Sequence, residues 1–218
     1  MINGIIFDLD NTLYSYDACD KVAYSALKAY SVDKFQITEY QFDELFVQAK
    51  KITKAKLGDV AASHNRLLYM QKFIELLHRN PFDYATEMYN LYWNTFLKKM
   101  NLYDFVIPLL RYLKEKNVKV GILTDLTAFI QYRKINTLGL NNLIDCFVTS
   151  EEAGREKPSE VMFLLMLEKM KLDPGDVVMV GDSVDKDIRG AEKSGINGIL
   201  LTDDLKYDYQ LLLWKKYI

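Results

Sequence analysis

Five short apolar runs rich in β-branched residues punctuate the chain, at 2–7, 118–123, 146–149, 177–180 and 196–201. Continuous apolar runs of this length, set between helical patterns, predict strands of a parallel sheet buried on both faces. Residues 106–116, 128–138, 160–171 and 186–194 carry apolar positions at three- and four-residue spacing, the period of an amphipathic helix. Strands alternating with helices predict an α/β fold, a Rossmann-like three-layer arrangement around a parallel sheet. Ligands of such sheets collect at the carboxyl ends of the strands. Asp8, Thr124 and Asp182 fall at three of those ends.

Residues 15–100 break this rhythm. They contain no strand pattern, only helical patterns at 20–30, 38–56, 63–77 and 82–100, with Thr38 and Ser63 as N-caps. Gly58-Asp59 and Asn80-Pro81 mark breaks between them. The pattern predicts an all-α domain at 15–100, inserted directly after the first strand of a core made of 1–14 and 101–218. Residues 207–218 predict a short helix on that core.

Composition narrows the function classes. The 218 residues are 50% hydrophobic and 27% charged, as in a globular protein. With 28 basic and 30 acidic side chains, the formal net charge is −2. Such a chain has no bulk attraction to a nucleic acid polymer or an anionic membrane, so a bound anion must meet local positive charge. Cys19 and Cys146 are too few for a disulfide framework, which predicts a reducing compartment. The amino terminus lacks a basic leader, and no apolar run approaches the ~20 residues of a membrane span. A cytoplasmic location is expected.

The strand ends carry the candidate chemistry. Asp8 and Asp10, two apart after a buried strand, repel each other and are costly to desolvate unless a cation compensates; a hard cation such as Mg²⁺ would do so. The plainer reading is a turn with Asp as a cap. Gly181-Asp182 follows another strand, with Asp185 and Asp187 beyond; acids decorating a helix N-terminus would explain either of the last two, but not acids ending two separate strands. Thr124 suits either an anion ligand or a helix cap. Lys157, before Pro158, reads alone as a solvated surface charge.

The order of these pieces, Asp8-x-Asp10-x-Thr12, Thr124, Lys157-Pro158 and Gly181-Asp182 with Asp187, resembles the haloacid dehalogenase superfamily, whose helical cap is inserted where 15–100 lie. The arrangement looks like the nucleotidase and N-acylneuraminate-9-phosphatase branches. The resemblance implies Asp8 as a nucleophile forming an aspartyl-phosphate and Asp10 as proton donor and then base. It implies Thr124 and the Asp125 amide as phosphate ligands, and Lys157 as the neutralising cation. It further implies Mg²⁺ on Asp8, Asp182 and the Asp10 carbonyl, supported by Asp187. An acid at position 10 is typical of the phosphatases and mutases and is lacking in dehalogenases. Asp125-Leu126 departs from the Asn-Gly common among relatives, and places a carboxylate near an anion.

In the helical insertion most of the tyrosines read as core, and Arg66 is the candidate for a remote anionic group of the substrate, against a solvated first-turn reading. The expected activity is Mg²⁺-dependent hydrolysis of a small phosphomonoester, a nucleotide or a sugar phosphate, by a monomer or homodimer. A phosphosugar mutase and a non-catalytic phospholigand-binding protein are the alternatives.

Overall fold

The computed structural model describes residues 2–202. Five strands form one parallel sheet: β1 (Gly4–Phe7), β2 (Lys119–Thr124), β3 (Cys146–Thr149), β4 (Val177–Gly181) and β5 (Asn197–Leu200), in the order β3-β2-β1-β4-β5. The register sets Phe7 opposite Ile122 on one side and Val180 on the other. The residues that leave β1, β2 and β4 therefore emerge side by side. The Asp8 amide still donates to the Val180 carbonyl, at 2.9 Å.

Alternation along the strands explains why the runs are apolar throughout. Ile6, Leu123, Val148 and Met179 pack with Met162, Phe163, Met166 and Met170 of helix α8 (Glu160–Met170). Ile5, Phe7, Ile122, Val178 and Val180 point the other way and are also buried. A Cβ at Gly121 would lie 2.7 Å from Met166 Sδ, so α8 packs on β2 more closely than any larger residue permits.

The chain divides into two compact units, Met1–Ser15 with Asn101–Ile218, and Tyr16–Met100. The second holds α1 (Tyr16–Phe35), α2 (Glu39–Leu57), α3 (Arg66–Leu76) and α4 (Ala85–Lys99). Their interior is aromatic: Phe35, Phe42 and Phe46 surround Phe73 with ring centroids 5.3–6.0 Å away. Thr38 caps α2 in a reciprocal box with Gln41. Ser63 does not cap α3. It sits in a 3₁₀ turn, Ala61–His64, and Asn65 caps the helix through its side chain, accepting from the Leu67 amide at 2.9 Å. Residues leave and rejoin the α/β unit at one place, where Tyr14 bridges Leu102 antiparallel and the Tyr103 amide donates to the Leu13 carbonyl at 3.0 Å.

The α/β unit also carries α5 (Val106–Glu115), α6 (Ala128–Thr137), a short α7 (Ser150–Ala153) absent from the sequence pattern, and α9 (Arg189–Lys193). The helix expected at 186–194 is only half α. Residues Val184–Ile188 form a π turn in which the Asp187 and Ile188 amides both donate to the Ser183 carbonyl. That wider turn lets the Asp187 carboxylate return to the Ser183 amide, at 3.0 Å. The helix expected at 207–218 lies outside the described residues. No helix among the described residues is long and apolar enough to cross a membrane.

Candidate active site

Asp8 leaves β1 in a place where water scarcely reaches: the residue is 5% exposed. Lys157, 4% exposed, supplies its partner, donating from Nζ to Asp8 Oδ1 at 2.5 Å, to Asp187 Oδ1 at 2.6 Å and to the Leu123 carbonyl at 3.2 Å. Thr12 donates its hydroxyl to Asp8 Oδ2 at 3.1 Å. Lys157 is thus no surface charge, and Asp8 is no helix cap. Burial pushes the Asp8 carboxyl up to about 8; Lys157 opposes the rise, while Asp187 and Asp10 add to it. Burial favours the neutral Lys157 amine, yet Asp8, Asp187 and Asp125 hold its ammonium above the ordinary range. One ammonium between two buried carboxylates leaves one negative charge uncompensated, which adds to the desolvation cost that makes Asp8 resist ionisation.

At the end of β4, Gly181 is required by space. A Cβ there would fall on the Asp187 carboxylate. Asp8, Asp182 and Asp187 each present a carboxylate oxygen, all within 4.8 Å of one another, with Asp182 exposed and the other two buried. An all-oxygen donor set carrying this much negative charge fits a hard divalent cation.

Thr124 ends β2 and is buried, but α6 begins after Thr127, so Thr124 caps nothing. Its hydroxyl accepts from Gln131 Nε2 at 2.6 Å. The Asp125 carboxylate points into the loop that carries Lys157. Oδ1 accepts from the Lys157 amide at 3.0 Å, and Oδ2 pairs with Lys186 at 2.7 Å. Its charge is therefore matched, and it fixes the lysine loop. Leu126 adopts the left-handed conformation (φ 88°) that glycine would take at no steric cost, and is buried there.

Asp10 is held from behind. Lys134, fully buried on α6, donates to its two oxygens at 2.7 and 2.8 Å, and the Tyr14 hydroxyl donates to Oδ1 at 2.6 Å. Gln131, Lys134, Tyr14 and Lys186 are not legible as site residues in the sequence. A usable signal for the first two is polar residues on the buried stripe of a helix, alongside Ile130 and Ile135.

Arg66 lies in the helical unit and is not a solvated first-turn residue. Its guanidinium donates to the His64 carbonyl at 2.8 Å and to the Tyr16 hydroxyl. It also sits 5.5–5.8 Å from the ring centroids of Tyr69, Tyr92 and Trp93. The Tyr92 hydroxyl in turn donates to Asp20.

A buried carboxylate backed by a buried lysine, with an acidic group beside it, at the carboxyl edge of a parallel sheet, marks an α/β-class protein whose site suits chemistry on an anionic group. The chain belongs to the haloacid dehalogenase-like hydrolases, whose family model matches residues 2–195. It is 36% identical over 206 residues to a ribulose-1,5-bisphosphate 5-phosphatase of Halopiger xanaduensis, covering 92% of this chain and 84% of the relative. It is 28% identical over 207 residues to the N-acylneuraminate-9-phosphatase of Mus musculus, covering 89% and 80%. The fold is shared with a haloacid dehalogenase-type phosphatase from Thermococcus onnurineus, at a TM-score of 0.72 and 20% identity over the whole of both chains.

Proposed function

We propose that the protein is a Mg²⁺-dependent phosphatase that hydrolyses a small phosphorylated sugar through an aspartyl-phosphate on Asp8. The observation that carries this reading is the buried Asp8–Lys157–Asp187 cluster, with Asp10 beside it. A phosphoryl group arrives with its negative charge on peripheral oxygens, so the site must supply cations and position rather than new bonds. An Asp8 oxygen attacks phosphorus, and the bond to the sugar oxygen breaks. Asp10 delivers a proton to that oxygen. Water then attacks phosphorus, gives its proton to Asp10, and releases Asp8 with inorganic phosphate. Lys157 neutralises the nucleophile during both steps, while the Thr124 hydroxyl and the Asp125 amide hold phosphoryl oxygens. Asp8, Asp182 and the Asp10 carbonyl, supported by Asp187, would hold Mg²⁺, which when bound supplies further positive charge to the phosphoryl oxygens.

The relatives named above act on phosphorylated sugars by name, which favours that class over nucleotides. Residues 15–100 serve as the cap that selects the substrate, and the free thiols of Cys19 and Cys146 suit the cytoplasm. The test is phosphate release from sugar phosphates and nucleoside monophosphates with Mg²⁺ present. Release from a sugar phosphate, lost in Asp8→Asn, is expected. A phosphate that only changes position on the sugar would overturn hydrolysis in favour of a mutase.

A further inference from the structure

Lys134 shows no exposed side-chain surface, whereas the Asp10 side chain it binds is 23% exposed. The ammonium therefore lies behind the carboxylate and reaches a substrate only through it. Both Asp10 oxygens are engaged by Lys134, and Oδ1 is shared with the Tyr14 hydroxyl, so Oδ2 keeps lone-pair capacity for a proton. A carboxylate gripped at both oxygens keeps one orientation, where an unsupported one samples several. Burying a lysine completely is costly, and a helix position on the inward stripe could carry an aliphatic residue instead. One turn earlier on the same stripe, fully buried Gln131 holds the Thr124 hydroxyl at 2.6 Å and the Asp125 carbonyl at 2.5 Å. The inner face of α6 thus reaches both Asp10 and the Thr124-Asp125 strand end.

We propose that Lys134 is a positioning residue that orients Asp10 for the second half of the reaction, in which water attacks the aspartyl-phosphate. In that step the water oxygen bonds to phosphorus, the water proton passes to Asp10, and the bond between phosphorus and Asp8 breaks. Lys134 exchanges no atom with the substrate. This rests on the phosphatase reading above.

The experiment is rapid-quench kinetics with p-nitrophenyl phosphate and Mg²⁺, following nitrophenolate release and the phosphorylated protein by mass. Nitrophenolate leaves without a proton, so formation of the aspartyl-phosphate does not depend on Asp10. Lys134→Met should slow the steady state by ~10-fold or more, at the lower end of or below a general base's contribution, while nitrophenolate appears in a burst near one equivalent and phosphoprotein accumulates. Asp10→Asn should do the same, and Lys134→Met should add less than about 3-fold in that background, because residues that act as a unit are not additive. A slower steady state with no burst, or full additivity with Asp10→Asn, overturns the proposal by making Lys134 a purely structural residue. Should Lys134→Met fail to fold by circular dichroism, Lys134→Gln is read by the same burst, and its absence overturns the proposal equally. Failure of the underlying reading is separable, since wild-type protein would then release no phosphate and Asp10→Asn would trap no phosphoprotein.

Discussion

At Asp8 the cost of the chemistry is visible in a single side chain. Its carboxyl is raised to about 8 by burial, from an ordinary value of 3.8. A carboxyl raised in the folded state contributes stability that is complete below about pH 4 and is lost as pH rises through about 8. Metal-free protein should therefore lose several degrees of Tm from this group between pH 5 and pH 8.5. Asp8→Asn should flatten that dependence while abolishing turnover, because an amide is a poor nucleophile. Mg²⁺, which favours the ionised carboxylate, should raise the wild-type Tm more at pH 8.5 than at pH 5. Differential scanning calorimetry at the two pH values, with and without a chelator, checks the Tm shifts, and a phosphate-release assay checks the loss of turnover. Gly181 is constrained as tightly. Gly181→Ala sets a Cβ onto the Asp187 carboxylate, and should cost ~1–3 kcal/mol of stability as overpacking and ~10²-fold in kcat as Asp187 leaves Lys157. An alanine variant with wild-type kcat and Tm would show that Asp187 is free to move.

Among the elements, α6 and α3 show how a helix can carry polar residues inward. On α6, Gln131 and Lys134 occupy the stripe where Ile130 and Ile135 are also buried. On α3 the first residue, Arg66, closes a cage of Tyr16, Tyr69, Tyr92 and Trp93 around its own guanidinium. The sequence suggests Arg66 as a ligand for a remote anionic group of the substrate. Its observed partners lie within the helical unit, and they favour a role in holding α1, α3 and α4 together. Arg66→Ala should then cost ~2–4 kcal/mol, because its hydrogen bonds and its cation–π interactions disappear together. It should also lower kcat/KM by similar factors on a sugar phosphate and on p-nitrophenyl phosphate. A loss confined to the sugar phosphate, with Tm unchanged, would restore Arg66 to the substrate.

For the whole molecule, the chain leaves the α/β unit after Ser15 and re-enters it at Asn101. Tyr14 and Leu102 are bridged, and Tyr103 bonds Leu13, so residues 16–100 depart from and return to neighbouring points of the α/β unit. Every residue assigned to phosphoryl transfer lies outside 16–100. Replacing those residues by a short Gly/Ser linker should leave a folded α/β unit that still hydrolyses p-nitrophenyl phosphate. Discrimination between sugar phosphates and nucleotides should collapse by ~10-fold or more, since substrate selection would have gone with the helices. Circular dichroism and a substrate panel check this. A folded but wholly inactive core would place an essential group in the helical unit.

Much of the plan is legible in the sequence because it depends on local patterns. Five apolar runs become five parallel strands within a few residues, since a sheet buried on both faces leaves strands no polar positions. The residues at three strand ends can be named because a parallel sheet sends its carboxyl ends to one edge. Helix starts are less legible: Asn65 rather than Ser63 caps α3, a choice made by how residues 61–64 tighten into a 3₁₀ turn. The fate of each charge is decided only in three dimensions. Lys157 and Lys134 taken singly are indistinguishable in sequence from surface lysines, and Asp125 from a carboxylate aimed at the substrate. Folding buries both lysines against Asp8 and Asp10, and turns Asp125 to the Lys157 amide. A charge is placed by partners that can be more than a hundred residues away, and hydropathy along the chain records burial without recording partners.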